Sequence, residues 1–118
     1  MQLAELRPFA KKVDVLIKVL DKGETREVTS KLDGQGHRVT EVLVGDASGC
    51  ILLTLWDEAI DKLAVGKCYK LSNGFTSLFK RTLRLNAGRY GIIEETPDEV
   101  SVNTQNNVSE QPFEDKKF

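Results

Sequence analysis

Two phenylalanines and three cations share one short segment of the C-terminal half of the chain. Phe75 and Phe79 stand among small and polar residues. The cations Lys80, Arg81 and Arg84 follow directly. An aromatic ring offers a flat face on which a planar ligand can stack, and Lys or Arg can neutralise an anion. Neither a buried core segment nor a solvated loop needs both residue types, so the segment indicates a binding surface.

Catalytic and metal-binding patterns do not occur in the sequence. The one histidine, His37, lies in a glycine-flanked loop with no Cys, His or carboxylate partner at metal-ligand spacing. No G-x-S-x-G nucleophile motif, P-loop or dinucleotide fingerprint is present. Asp46 and Asp57 are explained better as a hairpin residue and a helix cap. We therefore expect a binding protein that is not an enzyme and uses no metal or cofactor.

The charges divide the chain into two parts. The net charge is −1, but residues 94–118 carry seven acids and two lysines, whereas residues 1–93 carry 15 Lys or Arg and 11 Asp or Glu. Six cations and no acid occur from Lys67 to Ile93. This pattern predicts a mildly basic domain over residues 1–93 that can bind a polyanion. Residues 94–118 are predicted to form an acidic, disordered tail.

The length and composition are typical of one small globular domain. The 118 residues are 40% hydrophobic and 30% charged, and the N-terminus has no apolar segment of the kind that directs export. No apolar run is long enough to cross a membrane. We expect a monomer in the cytoplasm, or in the nucleus if the source is eukaryotic. In such a compartment the cysteines, Cys50 and Cys68, would be reduced.

The hydrophobic pattern predicts short strands. Alternating or continuous apolar runs indicate five of them, at Val13–Val19, Arg38–Val44, Cys50–Trp56, Cys68–Ser72 and Arg81–Asn86. A short helix between the third and fourth strands can begin at Asp57 and end at Gly66. Five strands with one helix at this point are the element order of an OB-fold, an all-β, five-stranded Greek-key barrel.

Alternation along the third strand bears on its tryptophan. Ile51, Leu53 and Leu55 form one face, which leaves a mixed second face of Cys50, Leu52, Thr54 and Trp56. Because the second face includes a polar residue, the pattern slightly favours an exposed Trp56 over a buried one. In the fifth strand the leucines alternate with polar residues in the same way.

Several short motifs resemble the simple, single-OB single-stranded DNA-binding proteins of archaea and their animal relatives. The matching segments are Val44–Gly49 (V-G-D-A-S-G), Thr54–Trp56 (T-L-W), Gly66–Lys70, Phe75, Phe79–Lys80 and Leu83–Gly88. The resemblance covers about residues 5–93 and stops before the acidic segment.

The resemblance implies which residues stack with bases, and the neighbouring cations indicate which residues contact the phosphates of the same groove. Bases are expected to stack on Trp56, Phe75 and Phe79, although position 75 is more often Trp or Tyr in the family. The residues expected to contact phosphates are Lys80, Arg81 and Arg84 on one wall and Arg26, Lys31 and Arg38 across the groove. Binding of single-stranded DNA with little sequence preference would protect it during replication, recombination and repair.

Two alternatives remain open from the sequence. An OB-fold can be a protein-interaction subunit whose aromatics are buried against a partner, or a module that binds RNA. The C-terminal Phe113 and Phe118 lie among charges and resemble in outline a tail that recruits repair or replication proteins. A tail that only increases solubility would have the same composition.

Overall fold

The computed structural model describes residues 2–29, 34–79, 82–87, 91–107 and 109. After a 3-10 turn at Leu3–Glu5, the elements are β1 (Val13–Lys22), β2 (Arg26–Thr29), β3 (Gly36–Asp46), β4 (Gly49–Trp56), α1 (Glu58–Lys62), β5 (Cys68–Phe79), β6 (Thr82–Asn86) and β7 (Ile92–Thr96). Within this part of the chain, no helix is both long enough and apolar enough to span a bilayer.

The strands close into a barrel. Their order is β1-β3-β4-β6-β5-β7, and an additional pairing of β1 with β5 closes the sheet. The β4–β6 pair is parallel, whereas the remaining strand pairs are antiparallel. The predicted all-β OB-fold is confirmed: the five expected strands correspond to β1, β3, β4, β5 and β6. The structure also has two short strands that the sequence did not predict: β2 pairs with the first part of β3, and β7 pairs with the first part of β5.

Alternating apolar residues fill the barrel interior. Val13, Val15, Ile17 and Val19 of β1 are all buried, as are Ile51, Leu53 and Leu55 of β4. Because side chains alternate across a strand, the intervening residues lie on the outer face of the barrel wall. These chains belong to a single core cluster that also includes Ile60 and Leu63 from the α1 region, so the helix packs against one end of the barrel.

The strand β5 is longer than the sequence predicted and is irregular at its middle. It continues past Ser72 to Phe79. Cys68–Ser72 pair with β7, whereas Phe75–Phe79 pair with β6. Asn73, between the two halves, has a φ of 57°, and the register with β1 shifts there. The expected break is therefore a bulge that redirects the strand, and both phenylalanines lie on β5 itself.

The Asp46 side chain fixes the β3–β4 hairpin, as predicted. Its Oδ1 accepts hydrogen bonds from the Ser48 N–H (2.8 Å), the Ser48 hydroxyl (2.6 Å) and the Gly49 N–H (3.2 Å). Its Oδ2 accepts one from the Leu3 N–H at 3.0 Å. The carboxylate thus sets the turn and anchors the N-terminal segment to it.

Chain beyond the predicted domain boundary is hydrogen-bonded to the barrel. Strand β7 spans Ile93 and continues to Thr96. The Cys50 N–H donates to the Asn106 carbonyl at 2.8 Å, and the buried Ser109 hydroxyl donates to the Leu83 carbonyl at 2.5 Å. Residues 94–107 and 109 are therefore part of the packed structure. The rest of the predicted tail, including Phe113 and Phe118, lies outside the described residues.

Candidate functional site

One face of the sheet collects the aromatic residues that the sequence singled out. Two rows of paired residues cross it from β3 through β4 and β6 to β5: Glu41–Thr54–Asn86–Phe75 and Leu43–Leu52–Arg84–Ser77. Trp56 ends β4 opposite Val39, and Phe79 ends β5 opposite Thr82. The three aromatics therefore lie on the outer face of the barrel wall, at positions fixed by strand register.

These three side chains are exposed to different extents. Trp56 is 47% exposed, Phe79 51% and Phe75 39%. Trp56 faces solvent, as the alternation along its strand predicted. Single exposed apolar residues are ordinary on protein surfaces, but several large aromatics on one sheet face indicate a binding surface.

A cavity of about 290 Å³ opens on this face. Its described lining comprises Arg26, Val28, Val39, Glu41, Thr54, Trp56, Ser77, Leu78, Phe79, Arg84 and Asn86. The β2–β3 hairpin forms one wall and β5–β6 the other. Trp56 also lines a second cavity of about 450 Å³ together with His37 and Asp57. The indole can therefore be approached from both cavities.

Arg84 is held in place on this face by three kinds of contact. Its Nε donates to Oε2 of Glu41 at 2.6 Å, and its guanidinium donates to the Thr82 hydroxyl at 2.7 Å. The guanidinium carbon lies 5.5 Å from the centre of the Phe79 ring, which is cation–π distance. The side chain is only 12% exposed. Arg84 thus positions Phe79, and a phosphate that binds Arg84 must compete with Glu41.

Arg38 does not face the cavity that holds Trp56 and Phe79. It alternates with Val39, which does, and it is absent from the described lining. Its guanidinium donates to Asp61 at 3.0 Å and to the Asp57 carbonyl at 3.1 Å. The hydrogen bond from Arg38 is the main cause that lowers the pKa of Asp61, and the same bond raises the pKa of Arg38. In the structure, Arg38, for which the sequence predicts a phosphate contact, makes an ion pair that ties β3 to α1.

Asp57 has a different hydrogen-bonding role from the one expected of a helix cap. It occupies the position before α1, but within the described structure its carboxylate makes no capping bond to the helix. Oδ1 instead accepts the Arg38 backbone N–H at 2.9 Å, and Oδ2 lies 2.9 Å from Nδ1 of His37. The Arg38 N–H, and secondarily His37, lower the pKa of Asp57. These bonds attach β3 to the end of β4 beside Trp56.

Four of the nine predicted site residues line one cavity: Arg26, Trp56, Phe79 and Arg84. Phe75 lines an adjoining cavity, and the two cavities share Ser77. Lys31, Lys80 and Arg81 lie outside the described residues. Among the residues that the structure does describe, no group of three His, Cys, Asp or Glu side chains could hold a metal ion.

Glu41 is a site residue that the sequence analysis missed. A two-residue turn at Ala47–Ser48 fixes the hairpin register and places Glu41 opposite Thr54, on the face of Trp56. That part could have been predicted from the hairpin. The ion pair with Arg84 could not, because it depends on the parallel pairing of β4 with β6.

Comparisons with known proteins agree with this architecture. The family model described as "Single-stranded DNA binding protein Ssb-like, OB fold" matches residues 6–95. The single-stranded DNA binding protein Ssb of Saccharolobus solfataricus is 32% identical over 99 residues, which are 83% of this chain and 65% of that protein. The chain therefore spans just under two thirds of that relative's length.

Solved structures show the same fold. A hypothetical protein of Arabidopsis thaliana is similar with a TM-score of 0.82 and 28% identity, over 100% of this chain and 88% of that one. The second OB-fold domain of replication protein A from Methanococcus maripaludis has a TM-score of 0.67 and 20% identity, over 86% and 98% of the two chains. At that identity the second likeness concerns the fold alone.

Proposed function

We propose that this chain, which belongs to the family of Ssb-like, OB-fold single-stranded DNA binding proteins, binds single-stranded DNA with little sequence preference. The observation that carries the proposal is the shared cavity of Trp56 and Phe79, with Arg84 stacked on the Phe79 ring. Any unpaired base has a π-face, so rings that bind by stacking do not select a sequence.

The bases would stack on Trp56, Phe79 and Phe75. Trp56 offers the largest ring and stands between two cavities. Phe79 is the most exposed of the three and is positioned by Arg84. Thr54, Ser77 and Asn86 lie between them and present small polar groups that can accommodate different base edges. The face therefore supplies platforms with weak chemical discrimination.

The phosphates would be bound by cations at the rims. Arg26 lines the cavity with an exposed side chain, and in the described part of the chain it has no ion pair. Arg84 can exchange Glu41 for a phosphate with little movement, because its guanidinium already lies on the face. From the sequence we add Lys31, Lys80 and Arg81 as further phosphate contacts.

We further propose that the protein protects single strands during replication, recombination and repair, as a monomer in the cytoplasm or the nucleus. Phe113 and Phe118 would recruit partner enzymes. This role is supported by the exposed aromatic rings of the face, because stacking on them does not select a base sequence. An RNA-binding role would use the same platforms, so the nucleic acid itself must be varied in the test.

The test is a set of anisotropy titrations of the purified protein with labelled oligo-dT, oligo-U and duplex DNA at several salt concentrations. We expect oligo-dT to bind much more tightly than duplex, and Trp56→Ala to weaken this binding. Val65→Ala, which trims an exposed side chain outside the described linings of these cavities, is the matched control. Equal affinity for single strand and duplex would overturn the proposal, and a preference for oligo-U would reassign the protein to RNA.

A further inference from the structure

A second groove continues from Phe75 along the N-terminal segment. It has a volume of about 570 Å³, within the range of roughly 300–1,000 Å³ typical of small-ligand sites. Its described lining is Phe9, Ala10, Lys11, Lys12, Asn73, Gly74, Phe75, Thr76, Ser77 and Ala87. Phe9 is 70% exposed, the largest exposed fraction among the large hydrophobic residues of the described chain.

The segment that carries Phe9 is fixed to β5 by one buried threonine. The Thr76 hydroxyl donates to the Arg7 carbonyl at 2.6 Å and accepts the Ala10 N–H at 2.8 Å. The Thr76 N–H donates in turn to the Ala10 carbonyl at 3.0 Å. Arg7 and Ala10 flank Phe9, so the backbone on both sides of the exposed ring is held. The ring is therefore displayed by an ordered segment, which lowers the entropic cost of stacking on it.

Unusual backbone conformations concentrate around this groove. Four non-glycine residues in the described chain have a positive φ, and three of them, Phe9, Lys12 and Asn73, line it. Their φ values are 62°, 54° and 57°. Such conformations are uncommon for residues with a Cβ, and they persist where the surrounding structure holds them. Here they turn the Phe9 and Lys12 positions toward one groove.

The cations that line this groove have no ion pair among the described residues. On the main face the same holds for Arg26, whereas Arg84 is paired with Glu41. Lys11 and Lys12 are exposed, and among the described residues neither ammonium has a carboxylate partner. An exposed ring next to two unpaired ammonium groups is suited to a base and its phosphate.

We propose that this groove is an additional nucleotide subsite of the same single strand, in which a base stacks on Phe9 and its phosphate contacts Lys11 and Lys12. The inference rests on the proposed function. The occupant is assigned by continuity, because Phe75 lines the groove and Ser77 is shared with the cavity of Trp56 and Phe79. A strand that contacts Phe75 can therefore extend from the main face into this groove.

The test compares oligothymidylates of increasing length, from about 4 to 10 nucleotides, which lie within the site sizes of OB folds. Wild type should bind more tightly once the strand is long enough to pass Phe75. Phe9→Ala should remove that increase, by about 5- to 150-fold on the longer strands, and leave the shortest unaffected. Lys11→Gln and Lys12→Gln should each lower the salt dependence on the longer strands. Val65→Ala and Lys62→Gln are the matched controls.

A second readout uses a single tryptophan at the new site. In the double variant Trp56→Phe with Phe9→Trp, fluorescence should be quenched by long oligothymidylates and not by the shortest ones. Equal affinity of wild type and Phe9→Ala at every length, with Trp56→Ala still impaired, would overturn the subsite and leave the proposed function standing. Failure of wild type to bind any of the oligomers would overturn both.

Discussion

Three aromatic side chains on one sheet face differ in how much of each ring a base can reach. Trp56 and Phe79 share a cavity and are about half exposed, whereas Phe75 is 39% exposed and is paired with Asn86 on the neighbouring strand. Asn86 donates from its amide to the Ser77 hydroxyl at 3.0 Å, so the polar row between the rings is itself ordered. Stacking should therefore be unequal among the three.

Alanine substitutions should reproduce this order. We expect Trp56→Ala and Phe79→Ala each to cost about 1–3 kcal/mol of binding free energy, and Phe75→Ala to cost the least of the three. Because all three rings are exposed, thermal stability should change little. Affinities for oligo-dT, measured by anisotropy beside thermal melts, check both statements. A lower affinity for oligo-dT in Phe75→Ala than in Trp56→Ala would contradict this order.

The Glu41–Arg84 ion pair should oppose DNA binding. In Glu41→Gln the guanidinium loses its charged partner, and a carboxylate that repels phosphates is removed from the cavity. We expect tighter binding of oligo-dT and a steeper salt dependence, by up to about 0.7 in log–log slope if Arg84 then binds one more phosphate. Arg84→Gln should have the opposite effect on the slope. An unchanged slope in both variants would show that Arg84 only supports the Phe79 ring.

At the scale of elements, the sequence predicted the interior of the barrel better than its bends. Alternation in β4 predicted one face of Ile51, Leu53 and Leu55, which is buried, and slightly favoured exposure of Trp56, which is 47% exposed. The sequence predicts a fourth strand that ends at Ser72, but β5 continues through a bulge at Asn73 to Phe79. A bulge and a turn use the same residue types, and only the pairing of both halves of β5 with different strands distinguishes them.

The contacts of Asp57, which join β3 to the end of β4, predict that the stability of the protein depends on pH. Its pKa is lowered in the folded protein, chiefly by the Arg38 N–H. The stabilisation that the Asp57 carboxylate provides is therefore fully present at pH values above its pKa in the unfolded chain, about 3.9. It is lost as the pH falls through its lower pKa in the folded protein. Urea unfolding at a series of pH values should show a loss of stability in this range.

Asp57→Asn should make that acid-induced loss smaller, since the variant has no carboxylate to protonate at this position. Arg38 also lowers the pKa of Asp61, so protonation of Asp61 should account for part of the stability that Asp57→Asn still loses in acid. If Asp57→Asn lost as much free energy of unfolding as wild type when the pH falls below about 4, the role of Asp57 in joining β3 to the end of β4 would be contradicted.

At the scale of the whole molecule, the acidic segment is divided between the barrel and the end of the chain. Four of its seven acids, Glu94, Glu95, Asp98 and Glu99, lie in the part that the structure describes, and Glu95 is 3.5 Å from the Lys67 ammonium. Composition alone could not reveal that part of the acidic segment packs on the barrel, because β7 and Ser109 bond to residues far away in the sequence. Only three acids and two lysines follow Ser109.

Two truncations should therefore behave differently. Removal of residues 94–118 deletes most of the β7 pairing and the Ser109 hydrogen bonds to Leu52 and Leu83, so we expect a clearly lower free energy of unfolding. Removal of residues 110–118 keeps all of these contacts, so we expect a smaller loss of stability than in the longer truncation. Oligo-dT affinity should change little, because the deleted charge is small and screened. Equal stability of the two truncated proteins in urea unfolding would contradict the described contacts beyond Ile93.

We propose that the face carrying Trp56 binds unpaired bases, and the single tryptophan of the chain allows this claim to be tested directly by fluorescence. At 47% exposure, Trp56 should emit at the long wavelength of a solvated indole in the free protein. Titration with oligo-dT should quench this emission strongly and saturably, while duplex DNA at the same concentration should not. Emission that stays unchanged at saturating single strand, although anisotropy shows that the strand is bound, would contradict the claim and place the binding surface elsewhere on the barrel.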